Sequence, residues 1–224
     1  MMDEIMILMS AWMFVCALIG VFYGFKNIFF KQKALYMRMI VCGVACQMIS
    51  RLFGLVFMAV LNMPLPVFNV GILGLIGSFF FFLSANYGQM DALVDDGSKE
   101  FIKTRLSALL APLLLFVIFV FFCLLTEGLQ PKIVLGFLTI FIMPCAYYNL
   151  KHIIIFDVEN GIIEQVRAYN VIVLICGILT ILEFVFSTLK LQLPYLIVTF
   201  LLGIALAAVL PVLKKGAEKW IRIT

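Results

Sequence analysis

Two charges lie deep within apolar sequence: Arg51 in the stretch 39–61 and Glu183 in the stretch 168–186. A charge at the centre of a bilayer costs at least about 2.5 kcal/mol. Each must therefore face protein, a ligand or water, and pairing would satisfy both. Gly43, Gln47, Arg51 and Gly54 recur at steps of three and four, so they share one face of a helix. Cys176, Thr180, Glu183 and Ser187 do the same. Such stripes face a neighbouring helix or a cavity, because lipid offers nothing to an amide or a hydroxyl. About ten residues separate Arg51 from the outer end of its segment, on the order of 15 Å, too far for its side chain to escape fully to the headgroups. Arg51, Glu183, Gln47, Thr180 and Asn69 are thus expected to form a ligand-binding site or an intramembrane ion pair.

A second polar collection gathers where other apolar stretches end. Asn86, Tyr87 and Gln89 close one of them, Tyr148 and Asn149 another, and Tyr169 and Asn170 open a third. They read either as an inner vestibule or as interfacial anchors, the usual role of tyrosine at a membrane surface. Catalysis has little behind it. There is no HExxH, GxSxG or GxxxxGK[ST] pattern. His152, the one histidine, follows Lys151 at a segment end, where a cation suits the helix dipole. Asp91, Asp95 and Asp96 share a short polar stretch with Gly97, Lys99 and Glu100 and read as a solvated connection. The six cysteines fall in apolar sequence without a CxxC, so they read as small buried hydrophobes. No metal site or cofactor is implied, and an enzyme is not expected.

The elements that must position these residues follow from composition. The chain is 65% hydrophobic and 12% charged, against roughly 45–50% and 25% for soluble domains. It cannot cover itself with polar surface, so an all-α integral membrane protein is expected. The apolar runs are continuous and near the roughly 20 residues that a spanning helix needs, which excludes a barrel. Seven segments qualify: 5–25, 39–61, 67–87, 106–125, 133–150, 168–186 and 195–213. The intervening loops are too short for another domain, so residues 1–224 form one membrane domain. The acidic start MMDE lacks the basic opening of a secretory signal, and no cleaved leader is expected. With the N-terminus outside, thirteen lysines and arginines fall on the cytoplasmic side, and only Lys132 and Lys190 fall outside. That imbalance predicts N-out, C-in. It also accounts for the net charge of +4 without a nucleic-acid partner.

Three landmarks recur in order. Tyr23 and Lys26 match Tyr148 and Lys151, Arg38 matches Arg167, and Leu65-Pro66 matches Leu193-Pro194, at nearly one offset. They predict a 3+1+3 parallel repeat, with segments one to three copied in five to seven around a linker helix at 106–125. In architecture this resembles the sugar-facilitator and related seven-helix transporters. The proline–glutamine dipeptide of the related loop families is absent, Gln130-Pro131 being the reverse order. No family is assigned on this basis, and no functional residue is carried over.

The leading expectation is a small-solute transporter or permease component of the cell membrane, with a polar site between the second, third and sixth segments. The alternatives are a seven-helix sensor or receptor subunit that signals through a separate cytoplasmic partner, and a non-catalytic accessory subunit assembled with other membrane proteins. The bilayer and a small molecule are the other partners these readings imply.

Overall fold

The computed structural model describes residues 2–91, 95, 97–155 and 162–223. The described residues are helical wherever regular structure occurs, with no strand among them. Helix α1 spans Met2–Gly24, α2 Leu35–Leu55 and α3 Val70–Ala85. Each runs on into one wider π-helical turn, Phe25–Phe29, Val56–Val60 and Asn86–Met90 respectively. The short α4 (Ile102–Ala108) leads into α5 (Leu110–Leu125), and α6 (Leu129–Ile154), α7 (Ile162–Thr188) and α8 (Gln192–Ile223) complete the chain. Seven of the resulting units are long and apolar enough to cross a membrane, α4 and α5 counting as one. The protein is a polytopic membrane protein.

Chain chemistry explains where the helices stop. Gln32 and Lys190 adopt left-handed backbone, at φ 47° and 57°. Around Lys190 the Leu191 amide donates to the Phe186 carbonyl at 2.9 Å, and the Lys190 amide to Ser187 at 3.2 Å. Around Gln32, Lys33 donates to Ile28 and Gln32 to Phe29 in the same pattern. This is the paired closure that satisfies the last carbonyls of a helix. Pro112 has no amide hydrogen to offer the carbonyl of Ala108, and the helix is broken just before it, between α4 and α5. Pro144 and Pro211 are carried inside α6 and α8 without ending them. Helix α8 runs on past the apolar segment 195–213 through the sequence KKGAEKWIRI.

Six helices close into a ring. Each of α1, α2, α3, α6, α7 and α8 packs on the next in that order, and α8 returns to α1. Helix α5 stands outside the ring against α6 and leaves Leu113, Leu114, Phe116, Val117, Phe121 and Leu124 exposed, a face suited to lipid. Small residues allow the close approaches. A Cβ on Gly20 would lie 3.2 Å from the Leu206 carbonyl oxygen of α8, and one on Gly74 would lie 3.1 Å from the Cys46 carbonyl oxygen of α2. Small residues serve this purpose in membranes, where no hydrophobic effect draws helices together.

Four consecutive phenylalanines, Phe79–Phe82, cover every side of their helix, which by sequence alone suits contact with lipid. Phe80 is exposed, but Phe79 and Phe82 are fully buried, because their shared face turns into the ring.

The Gly20 contact yields a test. Gly20→Val would press on backbone, which cannot rotate away, and should cost about 1–3 kcal/mol. Gly88→Ala, where an added Cβ meets nothing within 4 Å, should be near neutral. Thermal melting of the two variants in detergent checks the contrast.

Candidate functional site

Arg51 of α2 and Glu183 of α7 meet across the ring interior. Nη1 donates to Oε1 at 2.7 Å and Nη2 to Oε2 at 2.6 Å, a bidentate pair. The two side chains retain only 13% and 10% of their exposure, so the pair is nearly dry. It lines one side of a cavity of about 510 Å³. The apolar walls include Met6, Met58, Leu65, Val67, Ile72, Leu75 and Phe184. The cavity opens at the end of the bundle that carries the Pro66 and Lys190 connections, where both residues are exposed. The opposite end, called the basic end below, gathers Lys26, Lys31, Lys33, Lys151 and Lys214.

The remaining expected residues divide. Asn69 and Thr180 line the cavity. Asn69 spends its amide nitrogen on the Pro66 carbonyl at 2.8 Å, and Thr180 donates its hydroxyl to Cys176 of its own helix at 2.7 Å. Ser50 bonds the Gly71 carbonyl at 2.7 Å, tying α2 to the start of α3. Gln47 is not among the lining residues. It lies one helical turn from Arg51 towards the basic end, fully buried, with neither end of its amide partnered. Ser78 of α3 is likewise buried with an unpartnered hydroxyl.

Beyond this polar layer the ring is closed by aromatics. Phe79 and Phe82 stack edge to face at 5.9 Å between centroids. The Phe82 ring would lie 2.6 Å from a Cβ on Gly43 of α2, and that of Phe79 3.6 Å from one on Gly177 of α7. The pair therefore reaches from α3 to both α2 and α7 and plugs the interior.

Below the plug lies a second polar layer. Asn86 donates to the Oδ1 of Asn149 at 3.0 Å, and Asn149 donates in turn to the Cys145 carbonyl at 2.6 Å. Tyr169 and Asn170 are also fully buried, with the Tyr169 hydroxyl and the Asn170 Oδ1 unpartnered. All four side chains are fully buried, so in this state they do not line a water-filled vestibule. Tyr87 is exposed and packs on Tyr148 at 5.3 Å between rings, as an interfacial anchor does. The side chain of Gln89 lies outside the described residues.

Sequence reasoning missed the cluster that seals this end. Asp91 and Asp95 are not solvated; their side chains retain 15% and 4% exposure. Lys151 bridges them at 2.7 and 2.6 Å. The buried His152 sets Nε2 3.2 Å from Asp91, and Arg105 grips Asp95 through Nε at 2.7 Å and through a second, shorter bond. Asp96 lies outside the described residues. Hydrogen bonding from Arg105, then from Lys151 and the Gly97 amide, outweighs burial and holds the Asp95 carboxyl well below its ordinary range. Burial would raise Asp91, but bonds from His152 and Lys151 prevail and lower it. A stretch of carboxylates beside glycine gave no sign of this. The available signal was Lys151 and His152, two hydrogen-bonding side chains placed one after the other at a helix end. Tyr195 of α8 was missed as well; it is buried beside the Arg51–Glu183 pair and lines the cavity.

No family model, curated protein or solved structure matches this chain. The site must be read from its own geometry.

Two outcomes follow. Arg51→Gln and Glu183→Gln should each cost roughly 3–5 kcal/mol, since each leaves a buried charge uncompensated. The double variant should cost well under the sum, as read by a double-mutant cycle in a lipid bicelle. The lowered carboxyls set a pH dependence. A depressed folded-state value contributes stability fully above the unfolded value, near 3.9, and loses it as pH falls towards the folded value. Melting temperature should therefore fall with acid below about pH 4, and Asp95→Asn should flatten that slope while lowering stability at pH 7.

Proposed function

We propose that this protein carries a small solute across the cell membrane, taking it up in the cavity beside the Arg51–Glu183 pair. The observation that carries the reading is the layered interior: a cavity at one end, a polar layer at its base, an aromatic plug, and a second polar layer sealed by ion pairs at the basic end. Unpartnered buried polar atoms on both sides of a plug suit a path that is hydrated in another state. Each such atom costs about 1–3 kcal/mol if it stays unmet. With the basic end in the cytoplasm, the cavity opens outward.

The ring supports a two-unit mechanism. Exchanging α1, α2 and α3 for α6, α7 and α8 maps every neighbour contact in the ring onto another, and leaves α4 and α5 as the linker. That is the adjacency a parallel repeat about the membrane normal produces, and rocking of the two units would expose the interior alternately to each side. The units are not identical in detail. Pro66 precedes α3 by four residues, whereas Pro194 lies in the first turn of α8.

A receptor reading has one observation of its own. Helix α8 runs unbroken from Tyr195 at the cavity to Lys219 at the basic end, so a ligand that moved one end would move the other. Such a protein would signal through a separate cytoplasmic chain.

Native Cys176 separates the two. It is fully buried, on the stripe one turn from Thr180, near the plug. In a variant with the other five cysteines replaced by alanine, a carrier should let a small membrane-impermeant thiol reagent reach Cys176 from either side in sealed vesicles. Labelling from the cavity side alone, or from neither, would reject the carrier and leave the receptor.

A further inference from the structure

We infer that the cavity takes an uncharged small molecule with an apolar body and an amide-type head, in which a carbonyl oxygen and an N–H group sit side by side. The inference rests on the solute-binding reading above and specifies what that site selects. It begins with the charges that line the cavity among the described residues: Arg51, Glu183 and Lys190. Arg51 and Glu183 neutralise one another through two bonds in a nearly dry setting. A monoanion that captured Arg51 would strand Glu183 without a partner, and an ammonium that captured Glu183 would strand Arg51. Removing one partner of a buried pair is strongly unfavourable. Lys190 does not change this, because it is exposed at the rim, where water and salt screen it.

The pair is nonetheless not saturated. Each Nη carries a second hydrogen, and each carboxylate oxygen keeps a lone pair. The site therefore offers a donor and an acceptor next to each other while remaining neutral. An amide presents the complement: its carbonyl accepts from the guanidinium and its N–H donates to the carboxylate, and neither charge loses its partner. The hydroxyls of Ser50, Thr180 and Thr188 and the Asn69 amide nitrogen are committed to backbone carbonyls, so the polar contacts left to a ligand are the pair itself and the hydroxyls of Ser10, Ser187 and Tyr195. The walls formed by Met6, Met58, Ile72 and Phe184 then require an apolar body. A volume of about 510 Å³ falls within the roughly 300–1,000 Å³ of small-molecule sites.

Three probes of equal chain length test the head group: hexanamide, hexanoate and hexylammonium. Binding to the full chain in nanodiscs is measured by equilibrium dialysis against empty nanodiscs, which removes partition into lipid. Gly54→Met fills the cavity; a Cβ there meets only Leu65 Cδ2 at 3.8 Å, so the backbone can stay in place. A diazirine-bearing hexanamide, cross-linked to the wild type and mapped by peptide mass, places the probe without relying on any variant. Hexanamide should bind at least tenfold more tightly than either ion, lose that binding in Gly54→Met, and cross-link to the cavity walls. Equal or tighter binding of hexanoate or hexylammonium, sensitive to Gly54→Met, would overturn the uncharged class and leave the solute site standing. Absence of cross-links to the walls together with indifference to Gly54→Met would also overturn it. The carrier reading is judged separately by Cys176, whose labelling needs no ligand.

Discussion

The structure depends on how one arginine and one glutamate are kept out of lipid. Neither is tolerable alone at that depth, and neither can reach water by stretching. Their bidentate contact fixes the rotation of α2 about its axis, and that of α7, so that both polar stripes face inward. Once those rotations are set, Gln47, Thr180 and Cys176 must also lie inside the ring. A buried ion pair is a poor source of stability compared with well-packed apolar groups. What this one supplies is direction: it determines which face of each helix is the interior.

Packing then has to accommodate a polar interior without letting the helices drift apart. Glycines do this where backbones cross, at Gly20 against α8 and at Gly71 and Gly74 against α2. The Ser50 hydroxyl on the Gly71 carbonyl adds a directional tie at the same crossing. The contact surfaces are thus thin and smooth, and they leave room between helices at one end for a cavity lined by methionine, leucine and phenylalanine. Between the two polar layers, Phe79 and Phe82 supply the bulk that the glycines lack. Gly43 and Gly177 are the positions that admit them.

The basic end solves a different problem. Lys151 and His152 are buried there, and the lysine would be costly as an isolated cation. Asp91 and Asp95, from the connection after α3, neutralise Lys151; Asp91 also meets His152, and Arg105 holds Asp95 in place. Asp91 and Asp95, which looked solvated in sequence, are therefore part of the folded body. The consequence is an asymmetric interior, open at one end and locked by charge at the other.

By itself the sequence determined the class, the number of spanning units and the stripes, because lipid imposes length, apolarity and helical backbone on any chain that crosses it. Arg51 and Glu183 stood out for the same reason, as the two charges for which lipid has no accommodation. Which helices touch was not legible, since apolar surfaces of similar composition can pack in many ways. Only the tertiary structure decided that Phe79 and Phe82 point inward while Phe80 points out, because four consecutive phenylalanines carry no periodicity to read. Only it decided that Asn86, Asn149, Tyr169 and Asn170 are fully buried, since a polar helix end looks the same whether water or another helix covers it. The burial of Asp91 and Asp95 was hidden for a related reason. Arg105 lies ten residues from Asp95, but Lys151 and His152 lie about 60 residues from Asp91 along the chain, and a charge pair is set by distance in space, which sequence spacing does not report.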